Sequence, residues 1–137
     1  MVNRIFNSPT TFLLNKSMDA AALKNTVIAD NISNVNTPNF KKREVVFQEK
    51  LNSLLNNQRD NIDLAVTHKR HIIIKSKQDL EAEIRQNDDW SFRNDGNNVD
   101  IDVESAKLAQ NKIEYDVLSQ SINNELKLLR LAISGRG

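Results

Sequence analysis

Two histidines three residues apart, His68 and His71 in "THKRH", are the first candidates for chemistry, because on a helix that spacing turns both imidazoles toward one shared metal ion. No nearby cysteine or carboxylate completes a ligand set, and the isoleucine run that follows suggests a strand, so the pair reads as surface histidines. The stretch "DGNNVDID", residues 95–102, has the composition of a calcium loop. Aligning Gly96 with the invariant loop glycine puts Ser91 and Arg93 where oxygen ligands belong, which ends the match. Three glycines in the whole chain leave no phosphate-cradling loop. No nucleophile stands with a base and an orienting group. The expectation is a protein that is not an enzyme and carries no metal or cofactor.

The 137 residues suit one ordinary domain, and 39% of them are hydrophobic. They gather in two segments, 12–35 and 99–133, while the stretch between is dense in charged and amide side chains. With 19 Lys and Arg against 18 Asp and Glu the formal charge is +1, so the broad positive field of a nucleic-acid binder is missing. The short basic clusters at 41–43 and 68–71 have no interleaved aromatics and read as solvated surface. The absence of cysteine excludes disulfides and fits either redox compartment. The N-terminal "MVNRIFNSPTTFLLNKS" lacks the apolar region of a cleavable signal, and no window approaches the ~18 apolar residues of a membrane span. If the chain is exported, the route does not read a signal of that kind.

The elements that must position any functional surface are two long helices. From Leu14, apolar or small residues recur at Met18, Ala21, Ile28, Ile32 and Val35, with Asn25 filling the remaining slot of a heptad seam. Ser8 suits an N-cap with Pro9 at the first helical position. The second helix follows the loop signal "NDGNN", with Asp100 or Asp102 as cap and Glu104 placing negative charge near the positive helix start. Ala106, Ala109, Ile113 and Val117 line one stripe of it; Tyr115, Leu118, Ile122, Leu126, Leu129 and Ile133 line a neighbouring one. Two stripes imply more than one partner, since a helix that faces solvent on one side needs a single one. The expected fold is mainly α: paired long N- and C-terminal helices, 8–36 and 99–134, form a coiled-coil-like unit. A polar, irregular middle region, 37–98, contains short strands at 42–47 and 71–75 and a short helix at 47–55.

The first helix ends in "DNISNVNTPNF", residues 30–40. Asn31, Ser33, Asn34 and Asn36 can bond locally to backbone groups freed at a helix end. Thr37 is held extended by the proline after it, Pro38 presets φ for the second position of a turn, and Asn39 suits the positive φ of the third position of a type II turn. This stretch, within "ALKNTVIADNISNVNTPNFKKREVVF", resembles the N-terminal signature of the bacterial flagellar axial proteins, the rod, hook and hook-associated subunits. "NNVDIDVESAKLAQNKIEYDVLSQSINNELKLLRLAI" is similar to the C-terminal half of rod subunits of that family, and "AVTHKRHI" is similar to a segment between the two. The family usually has glycine then tyrosine where this chain has Asn39 and Phe40.

The resemblance implies a structural role without catalysis: terminal helices that pair into an axial domain and copies that stack helically into the proximal rod. Such a tube transmits torque and walls a channel for exported subunits. It implies Asp30, Asn31, Ser33, Asn34, Asn36, Thr37, Pro38 and Asn39 as the axial motif, whose amides also suit bonds to neighbouring subunits. Leu14, Met18, Ala21, Ile28, Ile32, Leu118, Ile122, Leu126, Leu129 and Ile133 would form the assembly interface. Partners would be further copies, other rod proteins, the junction of the rod base with the MS ring, and the flagellar type III export gate, with no nucleic acid and no membrane span. "FQEKL", with Phe47 and Leu51, resembles the short gate-recognition motif of rod and hook subunits, although helix packing of Phe47 on Leu51 accounts for it equally. The location implied is the basal body, reached without a cleaved signal. The alternative is a cytoplasmic coiled-coil adaptor or export chaperone, which should be acidic and has no need of the Asn-rich turn.

Overall fold

The computed structural model describes residues 9–53, 80–87 and 94–135. Ser8, the His68 and His71 pair and the strand expected at 71–75 lie outside them. An N-terminal helix, Pro9–Ser33, and a C-terminal helix, Ile101–Ser134, are joined by a middle segment holding β1, Arg43–Val46, and β2, Glu83–Gln86. The strands pair antiparallel, Arg43 opposite Gln86 and Val46 opposite Glu83. A short helical stretch at 48–53 follows β1, its first turn closed by the Leu51 N–H on the Phe47 carbonyl at 2.9 Å.

The helices begin and end where their residue types dictate. Proline opens the first, and Asp100 caps the second: its Oδ1 accepts from the N–H groups of Asp102 (2.9 Å) and Val103 (3.3 Å) while its own backbone stays extended. Gly135, at φ 61°, turns the second helix off in the left-handed conformation that glycine adopts without strain.

The helices pair antiparallel, because Ala21 lies beside Asn111 and Asn31 beside Glu104, so rising number on one meets falling number on the other. Along the expected N-terminal seam, Ala21 and Ile28 are buried and Leu14, Met18 and Ile32 half-buried. Asn25 departs from that seam and is exposed. The ion pair between Lys24 and Glu114, at 3.2 Å, bridges the helices there and leaves residue 25 at the rim of the groove. A second stripe, Leu13, Ala20, Val27 and Asn31, faces the middle segment. Ala20 joins Phe47 and Leu80 in the apolar core, with Leu13, Val45, Leu51 and Ala82 packed around it. The N-terminal helix is thus covered on two sides: by its partner helix and by the strand layer, whose Phe47 alone removes a side chain worth about 2–3 kcal/mol of burial from water.

On the C-terminal helix, Leu118, Ile122 and Leu129 are half-buried, whereas Tyr115, Leu126 and Ile133 are exposed. Ala106, Ala109, Ile113 and Val117 are all exposed, on the side away from the N-terminal helix. The two stripes read from the sequence therefore serve different surroundings.

Candidate assembly surface and the amide clamp that positions it

Asn31, fully buried, does three jobs with one side chain. Its Oδ1 accepts from the Arg43 N–H at 2.9 Å, and its Nδ2 donates to the Arg43 carbonyl at 2.8 Å and to Glu104 Oε2 at 2.9 Å. The amide therefore pairs with the start of β1 as a neighbouring strand would, on the last turn of a helix, and ties both to the C-terminal helix. A serine or aspartate at this position has no such combination of donor and acceptor.

Asn97 completes the helix end from the other side of the chain. Its amide N–H groups are shared among the carbonyls of Asn34 (2.9 Å), Val35 (3.1 Å) and Thr37 (2.9 Å), and its Oδ1 accepts from Val99 N–H at 2.7 Å. Carbonyls at a helix C-terminus have no partner within the helix, so a donor side chain from elsewhere is one of the few ways to bury them. Asn98 makes the next link: its Oδ1 accepts from Lys42 N–H at 2.7 Å and its Nδ2 donates to the Asn87 carbonyl at 3.0 Å.

Ser33, Asn34 and Thr37 act locally, while Asp30 and Asn39 reach other segments. Ser33 donates back to Ala29 and Asn34 Nδ2 to the Asp30 carbonyl, at 2.8 and 2.9 Å, while Thr37 donates to Asn34 Oδ1 at 3.2 Å. Asp30 pairs with Arg43 at 3.0 Å, and the Arg43 guanidinium sits 5.7 Å from the centre of the Phe40 ring. Asn36 and Pro38 are exposed. The Phe40 N–H to Thr37 carbonyl bond (3.3 Å) closes a four-residue turn with Pro38 second and Asn39 third, at φ 59°. The Asn39 N–H donates to the Asp95 carbonyl at 2.8 Å, and a Cβ at Gly96 would stand 2.7 Å from Asn39 Oδ1, so the two loops interlock with no spare room. Asn39→Gly is expected to leave the urea midpoint nearly unchanged, and Asn39→Val to lower stability by about 1–2 kcal/mol, because a β-branched residue is strained at positive φ. Equal midpoints for the two variants would show that the left-handed turn carries no such strain.

A charge network braces the clamp. Glu104, 2% exposed, accepts from Asn31 through one oxygen and from Lys107 through the other at 3.1 Å, and Lys107 also reaches Glu44 at 3.1 Å. Partial burial by itself would raise the Glu44 pKa, yet the hydrogen bond and charge of Lys107, with Lys42 behind, hold it below the ordinary glutamate value of 4.5. Burial by itself would lower that of Lys107, and Glu104 and Glu44 push it up instead. A depressed carboxylate contributes stability that is fully present above pH 4.5 and is lost as the pH falls through its folded value. Further along the seam, Asn111 Nδ2 donates to the Ala21 carbonyl at 2.9 Å, while its Oδ1 is buried with no hydrogen-bond partner among the described residues. A buried amide that reaches the Ala21 carbonyl in one alignment of the two helices favours that register, since any slip would leave its donor unmet as well.

The clamp fixes which face each helix turns outward. The C-terminal helix has 34 residues against 25, and with the antiparallel register anchored at Asn31 and Glu104 its last turns run on past Pro9. There Leu126 is 51% and Ile133 73% exposed, with Leu128 and Leu131 also open to solvent. Of the ten interface candidates, Leu14, Met18, Ala21, Ile28, Ile32, Leu118 and Ile122 lie wholly or partly within the chain's own helix pair, and Leu126, Leu129 and Ile133 lie past Pro9, Leu129 half-buried and the other two exposed. Phe47 is 4% exposed in the core, and Leu51 packs against that cluster. Among the described residues no group of three His, Cys, Asp or Glu is placed to hold a metal, and no helix is long and apolar enough to cross a membrane. Asn97 and Glu104 were not singled out as clamp residues by the sequence; the signal for Asn97 was only the loop composition around it.

A family model described as flagella basal body rod protein matches residues 17–41, the N-terminal half of the clamp. The chain is 34% identical over 122 residues to the flagellar basal body rod protein FlgB of Bacillus subtilis (strain 168), covering 89% of this chain and 91% of that one. It is 34% identical over 125 residues to FlgB of Borrelia hermsii, covering 88% and 93%. To FlgB of Escherichia coli (strain K12) it is 26% identical over 115 residues, covering 82% and 83%.

Proposed function

The chain belongs to the FlgB family of flagellar basal-body rod proteins and is a structural subunit of that rod; from this premise we propose that its terminal helices, 8–36 and 99–134, form the axial domain through which copies and other rod proteins assemble. The described parts of the middle region, 37–98, buttress that domain through Val45, Phe47, Leu51, Leu80 and Ala82. The observation that carries the reading is the overhang of the C-terminal helix, where Leu126 and Ile133 are exposed beyond the end of the partner helix. Apolar side chains clustered on the open end of an otherwise paired helix are the mark of a contact completed by another molecule, and head-to-tail contacts that do not close generate tubes and filaments. Rod-base proteins at the MS-ring junction are the neighbours this reading assigns to a proximal subunit. The alternative, a cytoplasmic adaptor or export chaperone, is not favoured by the family.

The same reading has the chain leave the cytoplasm through the type III export gate without a cleaved signal, with Phe47 and Leu51 as the recognised pair. Phe47 lies in the folded core, so recognition acts on the unfolded chain. Basal-body isolation and cell fractionation test both parts together. Leu126→Asp with Ile133→Asp is expected to leave export intact and remove the protein from purified basal bodies, with loss of motility. Phe47→Ala with Leu51→Ala is expected to hold the protein in the cytoplasm, whereas Leu80→Ala, which opens the same core at a cost of about 2–5 kcal/mol, is expected to be exported. Normal amounts of the double-Asp protein in basal bodies would overturn the assembly face. Equal export of the Phe47 and Leu51 variant and the Leu80 variant would overturn the gate motif.

A further inference from the structure

The side of the C-terminal helix that faces away from its partner carries a second seam. Gln110, Ile113, Val117, Gln120, Asn124, Lys127 and Leu131 follow the alternating three- and four-residue spacing of a coiled coil, and all are exposed, Ile113 at 67%. On one flank stand Asp116 and Arg130, both exposed and without an ion-pair partner among the described residues. We propose that this face pairs with the same face of a second copy, antiparallel about a two-fold axis opposite residue 122, in a closed dimer that forms before assembly.

The choice of occupant and direction rests on what the seam places opposite itself. In the antiparallel pairing Ile113 meets Leu131 at both ends. Val117 meets the aliphatic stem of Lys127, and Gln120 meets Asn124, each amide able to give and to accept a hydrogen bond. Asp116 falls beside Arg130 of the other copy, twice by symmetry. In a parallel pairing Lys127 would sit against Lys127 in the seam, and neither Asp116 nor Arg130 would meet an opposite charge. Self-complementarity of this kind, in apolar, amide and charged layers at once, selects a second copy over an unrelated helix. The contact runs for about five helical turns. That is short for a permanent interface, so the dimer is weak and opens readily. Paired, it covers Ile113, Val117 and Leu131 and holds in reserve a surface that would otherwise promote uncontrolled association. The dimer goes beyond the rod reading and does not rest on it, since it uses neither Leu126 nor Ile133.

Sedimentation equilibrium of the purified full chain at neutral pH and low salt tests the pairing. A monomer–dimer equilibrium with Kd in the micromolar range is expected. Asp116→Arg alone and Arg130→Asp alone are each expected to weaken it about tenfold or more, and the combined Asp116→Arg, Arg130→Asp protein to recover to within about threefold of the wild type. All four proteins should show the same helical circular dichroism, because the exchanged residues make no ion pair within the described fold. A wild type that stays monomeric through that range, open-ended oligomers in place of dimers, or a combined variant as weak as the single ones would overturn the proposal. None of these results bears on the incorporation of the Leu126 and Ile133 variant into basal bodies.

Discussion

Asn97→Ala is expected to lower the stability of the folded subunit by about 3–4 kcal/mol, a large share of the 5–15 kcal/mol that holds an ordinary domain together. The alanine removes the amide donors that serve the carbonyls of Asn34, Val35 and Thr37 and the acceptor that serves the Val99 N–H. The four losses are unequal. Asn34 and Thr37 still receive the N–H groups of Thr37 and Phe40, but the buried Val99 N–H loses the side chain that served it. Asn97→Asp separates the two halves of the role, since it keeps the acceptor for Val99 and replaces the donors with a negative charge facing three carbonyls. It is expected to be at least as harmful as alanine. Urea unfolding of the purified proteins measures the difference; an alanine variant within about 0.5 kcal/mol of the wild type would show that water replaces the amide at little cost.

Much of this arrangement is legible without coordinates, and the legible parts are those governed by local rules. Pro9 and Asp100 mark helix starts because a missing N–H or an accepting oxygen is useful only there. Asn39 marks a turn because little else but glycine tolerates its φ. β1 is visible as "REVV", where β-branched residues sit beside a turn. The two stripes on the C-terminal helix are visible as periodicity, and so is the inference that one partner cannot cover both.

What was not legible depends on residues far apart in the chain. The stripe Leu13, Ala20, Val27 could not be told from general apolar character, because the side chains that cover it, Phe47 and Leu80, come from segments whose approach no local pattern announces. Asn25 filled a heptad slot by spacing alone, but the Lys24–Glu114 ion pair moves the line of contact past it. Glu104 suited the positive start of a helix, and that holds; its larger role, a buried acceptor for Asn31 and Lys107, requires two partners, one of them 73 residues away. β2, "EIRQ", is exposed along its length and carries no apolar alternation, so its pairing with β1 is written in the ladder and not in its side chains. Amides were the least legible of all. An asparagine that ends a helix, one that fills a loop and one that replaces a strand have the same letter.

The contact between Asn31 and Glu104 supplies the sharpest test of that last point. Asn31→Asp changes one NH2 to an oxygen, leaving the acceptor for the Arg43 N–H in place. It removes the donor to the Arg43 carbonyl and sets a second carboxylate 2.9 Å from Glu104 in a site where the two residues are 0% and 2% exposed. Two carboxylates at that distance cannot both stay ionised, so the variant is expected to lose about 3–5 kcal/mol at pH 7, or to hold a proton between them. The pH dependence follows in sign. A shared proton means a folded pKa raised above the unfolded one, so the deficit relative to the wild type is largest at neutral pH and shrinks as the pH falls toward the ordinary carboxylate range. Adding Glu104→Gln restores a donor, because the glutamine amide can give to the introduced carboxylate the hydrogen bond that Asn31 gave to Glu104, and Lys107 keeps Glu44 as a partner. The double variant is therefore expected to be more stable than Asn31→Asp alone, by about 1–3 kcal/mol, although Glu104→Gln by itself weakens the hold on Lys107. A double-mutant cycle from urea unfolding at pH 7 and pH 5 measures the coupling. Additive losses, with the double variant the least stable of the four at both pH values, would show that residues 31 and 104 do not act as one hydrogen-bonded unit joining the two helices.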